Sequence, residues 1–404
     1  MRPRGALARS AATILVLLSV AAGEPRLPRV DLVDGSSLEG VLVSVSDGTA
    51  VVRAADGSER RLPVESLVLA TEPAPKPAPG ADTPFNLYLH GGDRLRGAVT
   101  GSGEEVLLSS PVVLGFRRPL DDVLAVRFGR LLGALQASYG EAFDRELERG
   151  HDSVLVQRDT KPFPIPARVL EIKESALVVR VEDTRREIEF ARVYGFVRTP
   201  DRERLPPEGV RVRVRIAGGE RITLPLERIT ETTVEGGGVQ VARDHVDRLE
   251  FMGDHIAHLS DFDPIDVRQV TLLGAPLPWR RDAMALGSPI RLASKTYERG
   301  IGTLSYTRLE YVLGARWNTF YALCGIDDAA GAEGDAIFRV MGDGKVLAEV
   351  RRREGEPPEA LRVDVTGVDR LVLETDPAGS YVSDFCDWAQ ARVFSTPAAP
   401  SRGK

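Results

Sequence analysis

The chain has 404 residues, 53 of them basic and 59 acidic, with 43% hydrophobic and 28% charged side chains. That length allows roughly two to four domains, and the composition is that of an ordinary folded protein. Two cysteines, Cys324 and Cys386, exclude a disulfide-dense scaffold or a multi-cysteine zinc site. The acidic balance argues against nucleic acid as a partner, because phosphates require a basic surface.

The chain opens with Arg2, Arg4 and Arg9, then the apolar run AATILVLLSV at 11–20, then Ala21, Ala22 and Gly23. A charged, apolar, then small order is that of a secretory signal over residues 1–23. The apolar core is too short to span a bilayer stably, and no later segment reaches the ~20 apolar residues of a membrane helix. The expectation is export to a periplasmic, cell-envelope or secreted location, with a retained N-terminal anchor as the alternative. Four stretches then share one grammar of short alternating strands and Gly-containing turns: 24–70, 85–130, 151–200 and 205–254. In the first, Asp34-Gly35, Asp47-Gly48 and Asp56-Gly57 mark tight turns, since Asp-Gly tolerates positive φ. Starting strands recur every ~55–65 residues, which predicts divergent copies of one unit. Each unit resembles an Sm-like small β-barrel. Residues 71–84 (TEPAPKPAPGADTP) contain five prolines and read as an extended linker. Over 131–150, Leu132, Leu135, Tyr139 and Phe143 fall near helical spacing, predicting one inserted helix whose apolar face packs on a barrel.

From about residue 258 the texture changes to many short strands with Gly- and Asp-rich turns, continuing to about 396 before a disordered tail at 397–404. In 318–326 both alternating sets are largely apolar, as in a strand buried on two sides. Such strands argue for a β-sandwich or jelly roll. Six blocks stand in order: Tyr297-Glu298-Arg299-Gly300-Ile301-Gly302; Leu309-Glu310-Tyr311-Val312-Leu313-Gly314; Phe320 with Gly325-Ile326-Asp327-Asp328; Val340 with Asp343-Gly344-Lys345; Val363-Asp364-Val365-Thr366-Gly367; and Asp384 with Asp387-Trp388-Ala389. With the lead-in from Leu259-Ser260-Asp261 to Pro264, this region resembles the NPCBM family of carbohydrate-binding modules, first noted beside family 98 glycoside hydrolases. The resemblance implies a galactose-binding-like jelly roll, in a family of which some members bind terminal galactose or blood-group sugars. The fold class expected for the whole chain is therefore all-β: tandem small barrel-like units, then a jelly-roll sandwich, with one inserted helix. One departure stands out. The family usually carries a histidine shortly after its Gly-Ile-Gly, and here Leu304 stands in that place, which implies a changed or absent sugar site.

A sugar presents apolar C–H faces and a fan of hydroxyls, so its site needs an aromatic platform and a few polar partners. The ligand-binding candidates are Tyr306, Trp317, Asp327, Asp328 and Asp384, with Trp279, Tyr381 and Asp387 as further groups of the right kind. Trp388 sits within the last strand pattern and reads as core. The competing reading of Asp327-Asp328 is structural: such carboxylates cap turns by accepting backbone N–H bonds. No cofactor is expected. A structural calcium ion held by Asp327, Asp328, Glu333 and Asp335 is conceivable on donor chemistry, without the EF-hand spacing. Cys324 and Cys386 either pair or stay as buried thiols. The histidines (His90, His151, His245, His255 and His258) make no zinc motif, and no Gly-x-Ser-x-Gly elbow, phosphate loop or dinucleotide fingerprint is present. The expectation is a non-catalytic exported protein that binds glycan, or else an envelope scaffold, partnered by other envelope proteins, whose sandwich has lost its sugar site.

Overall fold

A computed structural model describes residues 27–128, 134–158, 161–199, 208–269, 279–331, 333–379 and 384–395. The signal segment, the C-terminal tail and Tyr381 lie outside the described residues.

Each of the four N-terminal units ends the same way, in a one-turn 3₁₀ helix followed by a closing strand. These turns are Val64–Ser66, Leu120–Asp122, Phe190–Arg192 and Arg243–His245. The closing strands are Leu67–Thr71, Val123–Arg127, Val193–Val197 and Val246–Met252. The repeat seen in the sequence is thus a repeat in structure. In the first unit Asp47 (φ 49°) and Gly48 (φ 70°) form the tight turn between Ser37–Ser46 and Thr49–Ala54. Asp34 and Asp56 accept the amides of Ser36 and Ser58, two residues on, the local bond that makes Asp a turn residue. Gly40 lies where the long strand bends over its partner: a Cβ there would stand 2.3 Å from the Arg53 carbonyl oxygen.

The units are not beads on a string. Closing strands pair antiparallel between units, Leu67–Thr71 of unit 1 with Val246–Met252 of unit 4, and Val123–Arg127 of unit 2 with Val193–Val197 of unit 3. Val30, Val99, Val169 and Val212, one from each unit, belong to a single buried cluster. The proline-rich segment is extended but packed along unit 4: the amides of Glu72, Lys76 and Ala78 donate to the carbonyls of Asp247, Asp244 and Ala217. The inserted helix, Ala134–Arg149, lays Tyr139, Ala142 and Phe143 against Ala125, Leu155, Tyr194 and Val197, so its apolar face packs on units 2 and 3.

The C-terminal region is a sandwich of two antiparallel sheets. One, here the docking sheet, runs Arg280–Arg281, Gly300–Leu304, Phe385–Phe394, Thr319–Ile326, Glu359–Asp364, with Ile256–His258 also pairing Phe385–Phe394. The other, the open sheet, runs Asp266–Gln269, Thr307–Val312, Arg370–Pro377, Asp335–Gly342, Lys345–Arg353. Ile301, Leu309, Phe320, Phe338, Leu373 and Trp388 meet between them. Trp388 is fully buried, edge-on to Phe338 and Phe320 at centroid distances of 5.1 and 6.4 Å.

The outer face of the docking sheet is covered as well. Tyr321 and Phe394 pack with Val33 of unit 1 and Ile256. Arg392, 2% exposed, donates from Nε to the Val33 carbonyl (3.2 Å) and from Nη2 to that of Leu32 (3.1 Å), with its guanidinium 4.2 Å from the Tyr321 ring centroid. At Gly35 a Cβ would collide with that ring at 2.2 Å, so the turn of unit 1 can approach only as glycine. The strand 318–326, apolar on both alternating sets, is buried on both sides for this reason.

Candidate functional site

The loops at one end of the sandwich gather most of the candidate residues. Thr319–Ile326 ends there at Asp327, and Phe385–Phe394 begins there after Asp384, because the two strands are antiparallel with Ile326 opposite Cys386. Asp327 donates its amide to the Phe385 carbonyl. Asp384, fully buried, accepts from the Ser305 hydroxyl and, at 2.9 Å, from the Asp335 amide. Through Ser305 this brings in Tyr306 at the start of Thr307–Val312.

Asp327 and Asp328 hold a neighbouring hairpin, Ile290–Leu292 with Lys295–Tyr297. Asp327 Oδ2 accepts the Arg291 amide (2.8 Å), and Oδ1 accepts that of Ala329 (2.8 Å). The Asp328 amide returns a bond to the Arg291 carbonyl, and Asp328 Oδ2 accepts the Ser294 amide (2.9 Å) at the hairpin tip. Ala293 and Ser294 both take positive φ there, 49° and 65°, so the anchoring amides hold a conformation that non-glycine residues adopt reluctantly. Both oxygens of Asp327 are engaged, whereas Asp328 keeps one oxygen with no protein donor among the described residues and a side chain 30% exposed.

Beneath this loop lies Asp387, fully buried, whose two carboxyl oxygens receive no donor among the described residues. Burial holds its pKa well above the ordinary range, reinforced by hydrogen bonding to Asp327 and by the negative charges of Asp327 and Asp328. As a neutral acid it supplies its own proton toward Asp327. Burial likewise raises Asp384, partly offset by the bonds from Ser305 and Asp335.

The Tyr306 ring is half-buried and leans toward the outer face of the open sheet. Its hydroxyl donates to Glu374 Oε2 at 3.3 Å. Glu374 Oε1 accepts from Arg339 Nη1 at 2.9 Å, and the same nitrogen reaches Asp376 at 2.7 Å. Arg339 Nε takes Glu349 at 2.6 Å, and three carboxylates raise its pKa further above the usual arginine value. Tyr306 is raised by burial and then by Glu374. Glu374 and Arg339 were not singled out in the sequence, although strict alternation in Asp335–Gly342 places Arg339 opposite the buried Phe338 and Val340.

Other candidates stand elsewhere. Trp317 is 8% exposed and belongs to the core cluster, beside Arg316, whose guanidinium lies 5.0 Å from its ring centroid. It precedes Thr319–Ile326 and so sits at the opposite end from Asp327. Trp279 is part-buried against the same core. Asp335 pairs with Arg351 and Arg353, and Glu333 is exposed. The acidic quartet considered for calcium therefore does not converge, and among the described residues no three His, Cys, Asp or Glu side chains are grouped to hold a metal. Cys324 and Cys386 are free, buried thiols, so the pairing considered from the sequence is not made. They lie on adjacent strands but two positions out of register, with Trp388 opposite Cys324; such diagonal neighbours sit at or beyond the separation a disulfide can bridge.

Residues 257–394 match the NPCBM/NEW2 domain. Over 117 residues the chain is 31% identical to a Renibacterium salmoninarum protein named "Putative endo-alpha-N-acetylgalactosaminidase", a match covering 28% of this chain and only 8% of that much longer protein. Among solved structures, it is similar to a two-domain fragment, CBM51-2 with INT domains, of Clostridium perfringens ZmpB in complex with GlcNAc. That match has 25% identity and a TM-score of 0.32, covering 40% of this chain and 36% of the other. It is also similar to the CBM51 of a Clostridium perfringens GH95 protein in complex with methyl-galactose, at 21% identity and a TM-score of 0.31, covering 34% of this chain and 99% of that one.

Proposed function

We propose that the protein is an exported, non-catalytic glycan-binding protein whose sandwich recognises sugar at the end carrying Tyr306 and Asp328. The NPCBM/NEW2 match supports the ligand class. The observation that carries the location is the half-buried Tyr306 ring beside the Glu374–Arg339 pair, on the sheet face that no N-terminal unit covers among the described residues. An aromatic ring face offers an apolar platform for a sugar C–H face, and ion-paired carboxylates and guanidinium groups offer oriented partners to hydroxyls. Asp328 contributes its unengaged oxygen. Asp327 and Asp384 act indirectly, by fixing the loops. The export reading rests on the charged, apolar and small order of residues 1–23, and the non-catalytic reading on the absence of nucleophile and cofactor motifs from the sequence.

A glycan array with the full chain tests this. Wild type should bind a discrete set of sugars, Tyr306→Ala and Asp328→Asn should each weaken binding at least about tenfold, the equivalent of ~1.4 kcal/mol, and Trp317→Phe should leave it unchanged. A blank array with folded wild type would sink the reading. A second one would then lead: a scaffold whose sandwich serves to hold the barrel units and other envelope proteins. Its supporting observation is the docking sheet sealed onto unit 1 through Arg392 and Tyr321.

A further inference from the structure

A cavity of about 250 Å³ between units 2 and 4 has Arg94 of unit 2 and Arg215, Arg221 and Arg248 of unit 4 in its wall. Arg94 and Arg221 face each other directly in the antiparallel pairing of Arg94–Leu95 with Glu220–Pro225. Like charges directly opposite destabilise a strand pair. Here they are also fixed in place by a reciprocal clasp: Arg94 Nε donates to the Gly219 carbonyl at 3.0 Å, and Arg221 Nε donates to that of Gly92. The clasp uses one donor from each guanidinium. Their Nη groups have no acceptor, and neither arginine has a carboxylate within ion-pair distance, among the described residues.

The other charges of the wall are compensated. Arg215 pairs with Glu250 and Glu298, and Arg248 with Asp247 and Glu298. Glu220 is committed to Arg96, accepting its backbone amide at 2.8 Å. Two guanidinium groups therefore lack an ion-paired carboxylate at one cavity among the described residues, Arg94 with its face 4.4 Å from the Phe85 ring centroid and Arg221 with Asp93 acting on it only at longer range, and each still presents a planar fork of N–H donors. Arginine forks match oxyanions, whose several oxygens accept at once. Desolvation and the neighbouring positive charges of Arg94, Arg213 and Arg215 depress the pKa of Arg221, partly offset by the Asp93 carboxylate.

We propose that this cavity is a binding site for a tetrahedral oxyanion, sulfate or phosphate, taken as the free ion or as an ester group on a larger ligand. The site lies where units 2 and 4 meet, and its existence does not rest on the sugar-binding reading of the sandwich.

Isothermal titration of the full chain with sodium sulfate and with sodium phosphate, against sodium chloride at matched ionic strength, tests it. Wild type should show saturable binding of at least one tetrahedral anion. Arg94→Gln and Arg221→Gln should each weaken it about tenfold, and the double variant should abolish it, whereas Arg370→Gln on the open sheet should change nothing. The discriminating readout is the anion-dependent rise in melting temperature, present in wild type and absent in the double variant, because each substitution both relieves the repulsion across the strand pair and removes a clasp bond; a merely structural pair of arginines would leave that rise unchanged. If a glutamine variant fails to fold, Arg94→Lys, which keeps the charge but not the fork, should still bind more weakly than wild type. A sulfated galactan oligosaccharide that competes better than free sulfate, with its unsulfated counterpart inert, would identify an ester as the ligand; equal potency would identify the free ion. Sulfate and phosphate indistinguishable from chloride, or binding unaffected by both substitutions, would overturn the proposal.

Discussion

The two sheets of the C-terminal sandwich share one core yet differ on their outer faces. Along Thr319–Ile326 and Phe385–Phe394 of the docking sheet nearly every residue is buried, because unit 1 covers the side turned away from the core. Along Asp335–Gly342 of the open sheet buried and partly exposed residues alternate strictly, and the outward set carries Arg339 and its carboxylates. An antiparallel sheet with one covered and one uncovered face alternates, and one covered twice does not. The comparison shows which face of the sandwich the rest of the described chain leaves uncovered. The docking sheet is occupied by unit 1, and among the described residues no unit packs on the open sheet.

The difference can be broken at Arg392. This buried cation has no carboxylate partner among the described residues; burial lowers its pKa to about 10, and its hydrogen bonds go to carbonyls of unit 1 and of its own strand. Arg392→Ala removes those bonds, takes the side-chain donor from the Val33 carbonyl, leaves that of Leu32 to the Gly35 amide, and uncovers the Tyr321 ring. The expected cost is roughly 2–4 kcal/mol, read by chemical denaturation of the full chain, with faster proteolysis between unit 4 and the sandwich. Unchanged stability and unchanged proteolysis would show that the docking contact is incidental. Gly35→Leu should act in the same direction, since its side chain must displace the Tyr321 ring.

A smaller effect should appear in the pH dependence, with opposite signs at two buried groups. His258, in Ile256–His258 beside the docking sheet, has a buried Nδ1 without a partner. Burial and the nearby positive charges of Arg299 and Arg392 lower its pKa from 6.5 to about 3. It folds neutral, so its contribution is complete above pH 6.5 and is lost as the pH falls toward 3, on the order of 2 kcal/mol by pH 5. Asp387 is held protonated in the fold, so its contribution is complete below its ordinary 3.8 and erodes as the pH rises toward the folded value. His258→Gln should flatten the acid limb of a melting-temperature profile, and Asp387→Asn should raise stability at neutral pH while changing little near pH 4. A gain for Asp387→Asn at pH 4 equal to that at pH 7 would contradict a buried neutral acid.

These contrasts also mark what the sequence could and could not reveal. The double apolar set of Thr319–Ile326, the buried Trp388, the Asp-Gly turns and the amphipathic helix were all legible, because each follows from local periodicity or local backbone preference. The pairing of the unit 1 and unit 4 closing strands was not, since it joins residues near 70 to residues near 249 and leaves no mark on either segment alone. The same holds for the acidic candidates. Asp327, Asp328 and Asp384 were identifiable as oxygen donors at turns, but whether those oxygens face a ligand or a backbone amide depends on Arg291, Ser294 and Asp335, which reach them from distant parts of the chain. Trp317 was ambiguous for the opposite reason: its place before a strand suggests a loop site, and only the sandwich shows that it packs into the core at the end opposite Asp327.

The smallest expected effect sharpens the comparison from the open side. Arg339 contacts Glu349, Glu374 and Asp376, a network that would look strongly stabilising if its bonds were counted. Its side chain is 23% exposed and those of Glu349 and Asp376 are 52% and 33% exposed, so solvent screens the attraction, and surface pairs of this kind contribute at most ~1 kcal/mol. Arg339→Gln should therefore lower stability by less than about 1 kcal/mol, a fraction of the Arg392→Ala loss, and the deficit should shrink in 0.5 M salt. Its consequence for ligand should be larger than its consequence for folding, because Arg339 orients Glu374, and Glu374 accepts from the Tyr306 hydroxyl. Sugar binding that weakens several-fold in a variant melting almost as wild type would place the open face in recognition. A large loss of stability with unchanged binding would make the charge ladder a structural cover for this sheet, as unit 1 is for the other.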